Sequence, residues 1–213
     1  MHSPLDQVAH ERTAWFYKPG ERRVKRLMAP AYDNPIGGSE GIRTNDNMQV
    51  FNGAGDRYDW VLHGKQEKLI PYNTYKLGSP DVTYKDILHG KHLNPELVRY
   101  ELHRTWVVEG KLKAGKQHGS ISRRIFYLDE DSWIPASADL FDAKDALNRT
   151  QEGHVLNYYD QPLCLISSDI VYDIPSQRYH VMGLRNQEAE ISFTENFDPE
   201  IFSPESMRRI GVR

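Results

Sequence analysis

The chain has 213 residues, of which 38% are hydrophobic and 27% are charged, and its formal net charge is -3. A chain of this length is expected to form a single domain, here residues 1–213, with a substantial core. The slightly negative charge does not predict nucleic-acid binding, which needs a clustered cationic surface. No stretch approaches the roughly 18 apolar residues of a membrane-spanning helix, and no signal peptide is visible after Met1. The single cysteine, Cys164, excludes an internal disulfide.

Two short strands and a long loop are predicted in the first quarter of the chain. Residues 13–18 are predicted as a strand, Pro19-Gly20 is a turn signal, and Arg22–Met28 completes a hairpin. The irregular region Pro30–Asp56 follows. A loop of this length is unusual in a compact domain. We therefore expect it either to act as a lid or to lie across the open face of a sheet.

The remainder of the chain carries a repeated strand pattern. Tyr58–Tyr72 is predicted as one long strand or a strand pair, and Asp81–Leu88 as a short helix or turn. In Val98–Glu109, apolar and polar residues alternate with period two, which is typical of a half-buried strand. Further elements are strands at 122–128, 133–141, 147–159, 166–172 and 179–184 and a short helix at 203–210. Because the links between these strands are short, the pattern predicts a curved antiparallel sheet in a mainly β fold with few short helices.

The polar residues do not form a catalytic or metal-binding motif. His89 and His92 are three positions apart, without a third ligand at metal-site spacing, so no metal site and no cofactor are predicted. The acidic run Asp129–Asp131 is predicted to form a hairpin turn. No nucleophile elbow, phosphate-binding loop or zinc-protease motif is present. Three further histidines are expected on or between separate strands: His103, His118 and His154.

Four aromatic residues on neighbouring predicted strands are the candidate binding residues. Trp106, Tyr127, Trp133 and Phe141 share a phase with other apolar or neutral residues. One interpretation is ordinary core between the sheet and whatever covers it. The alternative is the lining of an apolar groove, because ligand sites are concave and largely apolar.

Several sequence blocks resemble one family in the same order along the chain. They are Tyr58-Asp59-Trp60, Pro71-Tyr72-Asn73, Arg99–Arg104, Phe126–Trp133 and Asn157–Asp160. Together they resemble the DUF1329 family of Gram-negative bacteria, over about residues 12–213. The resemblance implies a fold like the lipoprotein carriers LolA and LolB, an unclosed antiparallel β-barrel whose concave face is plugged by helices and binds acyl chains. It also implies secretion and a genetic association with inner-membrane exporters.

The same resemblance implies that this chain corresponds to only part of a typical family member. Members of the family are about twice as long, and this chain is similar to their C-terminal half. A sheet that lacks its preceding strands would have an unpaired edge, which we expect near residues 13–28.

Three functions remain open at this stage. The leading hypothesis is a non-enzymatic periplasmic carrier or binder of lipid, lipoprotein or another hydrophobic cargo, possessing no transmembrane segment. The alternative is a structural or interaction module of an envelope export complex, with an inner-membrane exporter as a candidate partner. The third is a hydrolase that uses the in-strand residues Asp139, Glu152 and His154.

Overall fold

The computed structural model describes residues 4, 6, 8–10, 12–27, 32–116 and 120–211. Met28, Pro30 and His118, which the sequence-based predictions include, lie outside these residues. The described strands are β1 (Ala14–Lys18), β2 (Arg23–Leu27), β3 (Tyr58–Pro71), β4 (Tyr100–Leu112), β5 (Ile121–Asp129), β6 (Pro135–Asp142), β7 (Leu147–Tyr158), β8 (Leu163–Asp173) and β9 (Arg178–Met182). The two α-helices in the same residues are α1 (Tyr84–Ile87) and α2 (Pro204–Gly211).

Strands β3 to β9 form one antiparallel sheet in which each strand pairs with the next in the chain. Within the described residues β3 and β9 do not pair with each other, so the sheet stays open. The prediction of a mainly β fold with an unclosed antiparallel sheet is therefore confirmed. Short links explain this topology from β5 to β9, where four or five residues join each pair of strands. Links of this length join antiparallel neighbours but cannot make a parallel crossover.

The expected position of the sheet edge was wrong. Among the described strands, β1 and β2 pair with each other and with no other strand, in a separate two-stranded sheet. The edge strands of the main sheet are instead β3 and β9. β3 has 14 residues, and its side chains are mostly exposed. The hairpin turn before β2 contains Arg22 in the left-handed region, and α2 packs against this hairpin.

The link between β5 and β6 also differs from its prediction. Trp133 was expected to begin a strand, but its φ of +60° is left-handed, and β6 begins only at Pro135. The turn is fixed by Asp129, whose Oδ2 accepts hydrogen bonds from the backbone N–H and the hydroxyl of Ser132, at 2.9 and 2.6 Å. An aspartate that accepts from nearby backbone N–H groups stabilises a turn in competition with strand pairing.

The sheet is strongly curled. The pairing register shifts between Leu62 and Gly64 in β3 and at further points between β5 and β8. Such bulges bend a strand and increase its twist. The curl lets the hydroxyl of Tyr100 on β4 reach Glu152 on β7, although β5 and β6 lie between these strands. Tyr100 is the first residue of β4 and shares the phase of Trp106, so its side chain reaches Glu152 from the end of that strand and not from the face of Val107. We call the face that carries Glu152 the concave face and the opposite one the outer face.

The loop that the sequence predicts as irregular lies across the outer face. Val50 is fully buried there, in a cluster with Phe126, Ala138 and Leu140. Its φ of +68° is unfavourable for a β-branched residue, so the burial of its side chain must stabilise this conformation. We call residues 32–57 the covering loop. Of the two expected roles, this arrangement agrees with a segment lying across a sheet face.

Two buried ion pairs attach the covering loop to the sheet. Arg43 is fully buried and donates to Asp169 Oδ2 on β8 at 2.6 Å. Asp46 accepts from Arg124 on β5 at 2.7 Å. Gln151 on β7 lies between them and donates to Asp169 Oδ1 at 2.9 Å. Breaking a buried pair leaves an uncompensated charge, so these contacts hold the loop far more firmly than exposed pairs would.

The connection between β3 and β4, residues 72–99, covers part of the other side of the sheet. Its apolar side chains form a cluster with Ile170 of β8, and α1 belongs to this connection. Thr83 caps α1 through a reciprocal pair of hydrogen bonds with Asp86. The concave face is thus covered near β8 and β9, and it is half-exposed around Val107, Ile125 and Phe141.

Candidate functional site

The concave face carries a row of side chains that crosses five strands. The register places Val107, Tyr127, Ser137, Glu152 and Ile170 opposite one another on β4 to β8. Directly paired residues point to the same face, with Cβ atoms about 4.5–5.5 Å apart. The row is apolar at both ends and polar at its centre.

Two tyrosine–carboxylate pairs form the polar centre of this face. The Tyr100 hydroxyl donates to both carboxylate oxygens of Glu152, at 2.9 and 3.0 Å. The Tyr127 hydroxyl donates to Asp139 Oδ2 at 3.0 Å. Burial, followed by the negative charge of Asp139, raises the pKa of Tyr127 to about 12. Burial and the Glu152 charge likewise raise the pKa of Tyr100. Both phenols are therefore neutral donors at physiological pH.

The two carboxylates lack a strong cationic partner. Across the described ranges, no lysine or arginine nitrogen forms an ion pair with Asp139 or Glu152 within 4.0 Å. In these residues, the basic group within 4.0 Å of Glu152 is His154, whose Nε2 lies 3.5 Å from Glu152 Oε2. Carboxylates in a half-buried position normally pair with a cation or with several donors. This part of the concave face therefore favours a cationic or donor-rich group.

Three neighbouring buried residues have polar atoms without hydrogen-bond partners. His154 is 0% exposed, and neither ring nitrogen makes a hydrogen bond. Its cross-strand partner Ser168 and the nearby Ser137 also have unpartnered hydroxyls. A buried polar group left unsatisfied costs about 1–3 kcal/mol. Such groups commonly occur where a ligand or ordered water supplies the missing partner.

The four aromatic residues predicted to share a groove lie on two different faces. Tyr127 and Phe141 lie on the concave face, where Lys68 Nζ is 3.7 Å from the Tyr127 ring centroid and Arg123 Cζ is 3.8 Å from that of Phe141. Trp106 lies on the outer face, because it pairs with Leu128 and not with Tyr127.

Trp133 joins Trp106 on the outer face. The two rings stack, with centroids 6.3 Å apart and planes 20° from parallel. Lys65 Nζ lies 4.4 Å from the Trp106 ring centroid. The structure thus brings Trp106 and Trp133 into contact on the outer face. It places Tyr127 and Phe141 on the concave face, where Phe141 pairs with Arg123, four positions along β5 from Tyr127.

The hydrolase hypothesis finds no assembled nucleophile. Asp139, Glu152 and His154 do share the concave face, because the register pairs Ser137 with Glu152 and Asp139 with Thr150. However, His154 makes no hydrogen bond to a serine, threonine or cysteine in the described part of the chain. Nucleophile activation requires a hydrogen bond between the nucleophile and its base. Glu152 and Asp139 each accept from a tyrosine.

Two open clefts lie away from the tyrosine–carboxylate pairs. A cleft of about 290 Å³ lies between the covering loop and β9, with Glu40, Arg178 and His180 in its wall. A second, of about 460 Å³, is bordered by Glu109, Arg123 and other polar residues. Pockets for apolar ligands are lined mainly by hydrophobic and aromatic side chains. Neither cleft has that character.

Sequence reasoning did not identify Tyr100, Ser137 and Ser168 as members of the site. Tyr100 was placed with the apolar residues of its strand, and nothing local indicates that it meets a residue 52 positions away. Ser137 could have been found from one signal, because it lies between Ala136 and Ala138 in β6. Ser168 offers no such signal, since Ser167 and Asp169 flank it in β8.

The open, curled sheet places the protein in a recognised structural class. A domain from Vibrio parahaemolyticus, named for outer membrane lipoprotein sorting, superposes with a TM-score of 0.54 and 14% identity, covering 92% of this chain and 66% of that one. A DUF1329 family protein from Desulfovibrio piger gives a TM-score of 0.52 at 15% identity, with 94% and 66% covered. At these identities the likeness concerns the fold.

The family itself follows from the sequence. The family described as "Protein of unknown function (DUF1329)" matches residues 1–208, and the chain belongs to it. The chain is 42% identical over 214 residues to the Pseudomonas aeruginosa protein described as "Uncharacterized protein PA3922". That match covers all of this chain and 47% of the relative, so this chain spans about half the length of that relative. None of the helices in the described residues is long and apolar enough to cross a membrane.

Proposed function

We propose that this protein is a non-enzymatic periplasmic carrier or binder of an amphipathic cargo, such as a lipid or lipoprotein. The observation that carries the proposal is the open concave face, with its polar centre and apolar flanks. The fold shared with a domain named for lipoprotein sorting supports the same class of function.

The apolar part of the cargo is proposed to lie along the exposed side of β4 to β6. Val107, Ile125 and Phe141 are half-buried on this part of the concave face. Tyr127 lies among them and presents an apolar ring with a polar tip. Covering such surface stabilises a complex by about 25 cal/mol per Å², before the cost of association.

The polar end of the cargo is proposed to bind at Glu152 and Asp139. Both carboxylates lie beside tyrosine hydroxyls and lack a lysine or arginine partner within the described residues. An ammonium or hydroxyl group would supply the missing donors, and an anionic group would be repelled. The proposal therefore distinguishes cargoes by the charge of their polar end.

The test compares two ligands that differ only in the head group. The purified full chain is saturated with Nile red, and dodecylamine or dodecanoate is added as a competitor. We expect dodecylamine to displace the dye at a lower concentration. Glu152→Gln should remove most of this preference, with the fold checked by circular dichroism. No saturable dye binding by the folded protein, or tighter binding of dodecanoate, would contradict the proposal.

A matched pair of variants tests which face of the sheet binds the dye. Phe141→Asp places a charge on the concave face, whereas Trp133→Asp places one on the outer face at a residue that is 65% exposed. The proposal predicts weaker dye binding only for Phe141→Asp. Equal loss for both variants, or loss only for Trp133→Asp, would move the site to the outer face.

The second candidate function is an interaction module that binds a protein of the envelope. The observation in its favour is an exposed apolar strip near the free edge of β3. Leu69 and Leu102 are opposite each other and 60% and 64% exposed, and Leu62 and Trp133 add to the strip. Unpaired edge strands commonly accept a strand from a partner. A photo-crosslinking residue at Leu69, but not at the distant exposed Tyr159, should then give one discrete product in intact bacteria.

A further inference from the structure

We propose that His103, Asp129 and Asp131 bind a divalent first-row transition-metal ion. One potential ligand atom from each of these residues lies within 4.8 Å of the others. His103 belongs to β4, and the two aspartates belong to the turn between β5 and β6. The site lies at one end of the concave face and does not depend on the cargo proposed above.

The His103 ring faces a carboxylate at each of its nitrogens. Nδ1 lies 2.8 Å from Asp129 Oδ1, and Nε2 lies 3.5 Å from Glu101 Oε2. A neutral imidazole carries only one N–H, so it can donate to only one of these carboxylates. The other nitrogen then directs its lone pair towards a negatively charged oxygen. Either a second proton or a metal ion would relieve this contact.

The charges around His103 favour the metal ion. Glu101, Asp129 and Asp131 are three carboxylates, and Asp129 is 0% exposed. In the described residues, the ion pairs of this group with arginine or lysine are limited to Arg99 with Glu101, at 3.1 Å. Buried carboxylates are normally paired with a cation or coordinate a metal. A second proton on His103 would supply one charge, whereas a divalent ion supplies two and also engages Asp131.

Neighbouring residues hold the ligand atoms of His103 and Asp129 in position. Asp129 Oδ2 is held by Ser132, which leaves Oδ1 directed at His103. The Tyr72 ring packs on the imidazole, with centroids 4.5 Å apart. Asp131 is exposed and gives the site an opening to solvent. Ligands held in place by hydrogen bonds and packing are characteristic of metal sites.

The donor set indicates the class of ion. One imidazole nitrogen with carboxylate oxygens suits Zn²⁺ and other first-row ions, with bonds of about 2.0–2.2 Å. Magnesium prefers all-oxygen sites and retains its water. We therefore choose Zn²⁺ as the probe and Mg²⁺ as the contrasting ion. The spacing rule applied to the sequence missed this site because 26 residues separate His103 from Asp129.

The test measures zinc binding to the full chain without an affinity tag. Calorimetric titration with zinc chloride, with native mass spectrometry for stoichiometry, is performed on Cys164→Ser protein to remove the thiol as a competing ligand. We expect one bound Zn²⁺ and at least tenfold weaker Mg²⁺ binding. Asp131→Asn should weaken Zn²⁺ binding at least tenfold. Asp160→Asn, which removes a charge from another exposed turn, should leave it unchanged.

Asp131→Asn should fold normally, because Asp131 is exposed and the isosteric replacement leaves the turn contacts of Asp129 in place. A loss of zinc binding in this variant would therefore not reflect misfolding. His103→Asn gives a second removal of a ligand and should also weaken zinc binding at least tenfold. The proposal is overturned if zinc binding does not saturate below about 1 mM, or if Asp131→Asn binds as tightly as Asp160→Asn. Tight binding that survives His103→Asn would overturn it as well.

Discussion

Replacing Arg43 should lower the unfolding free energy more than replacing one partner of an exposed ion pair. Arg43 donates to the Oδ2 and the backbone carbonyl of Asp169, at 2.6 and 2.7 Å. Arg43→Met would leave the buried Asp169 carboxylate with Gln151 as its remaining side-chain donor. Breaking a buried pair in this way costs about 3–5 kcal/mol. With a urea dependence of about 2 kcal/mol per M, the unfolding midpoint should fall by about 1.5–2.5 M.

The matched control is an exposed pair attached to the same loop. Arg178 contacts Glu40 at 2.6 Å, but these side chains are 51% and 76% exposed. Exposed pairs contribute about 0–1 kcal/mol, so Arg178→Met should shift the midpoint by about 0.5 M or less. The assay is urea unfolding followed by tryptophan fluorescence at neutral pH. Equal midpoints for the two variants would show that the Arg43 pair does not hold the covering loop.

Three further predictions concern other positions. Gly183 has a φ of +85°, and an added Cβ would lie 2.4 Å from the Ser167 carbonyl oxygen. Gly183→Ala should therefore lower the melting temperature more than Gly115→Ala, because Gly115 has a similar φ of +78° but open space around its Cα. Equal decreases in melting temperature for the two variants would contradict the proposed clash. Burial and then the nearby Arg43 charge lower the pKa of His180 below its usual 6.5. The unfolded state therefore binds protons more readily, and the unfolding free energy should fall as the pH drops below about 6.5. His180→Gln should reduce this fall, and a variant with an unchanged pH profile would contradict the role of His180. With its pKa raised to about 12, Tyr127 should contribute to the 295 nm absorbance rise only near that pH, as the difference from Tyr127→Phe will show; a difference near pH 10 would count against the buried hydrogen bond.

The strands were largely predictable because their signal is local. In β4, polar and apolar residues alternate along the strand, and this pattern is present in the sequence whatever the strand pairs with. The order of β5 to β9 follows from equally local information, since the short links leave only antiparallel neighbours. The prediction of the fold class therefore needed no long-range knowledge.

The face on which each aromatic residue lies was not predictable in the same way. Trp106 and Tyr127 were grouped because both occupy apolar phases of their own strands. Their relative phase depends on the pairing register, which places Val107 opposite Tyr127. A shift of one residue moves a side chain to the other face. The β4–β5 pairing contains no bulge, and its register is not visible as a periodic pattern in either strand. The face of Trp133 is set by the left-handed turn before β6, which the pattern does not show either.

The concave face and the proposed metal ligands both depend on contacts between distant segments. Tyr100 meets Glu152, and His103 meets Asp129, only because the sheet curls and the turn folds back. The in-strand carboxylates Asp139 and Glu152 were recognised as unusual, but sequence gives no indication of the partners that surround them. Residue type and strand phase therefore identified the two carboxylates, but the residues that contact them depend on the three-dimensional arrangement.

The attachment of the covering loop also constrains the order of folding. Arg43 and Asp169 are 126 residues apart, so the loop gains its main contact only after β8 has been synthesised and added to the sheet. Contacts between such distant positions form slowly. Until then, Val50 and its neighbours have no apolar surface to cover, and the outer face of β5 and β6 stays exposed. A growing chain should therefore need protection from aggregation until residues beyond 173 have emerged from the ribosome.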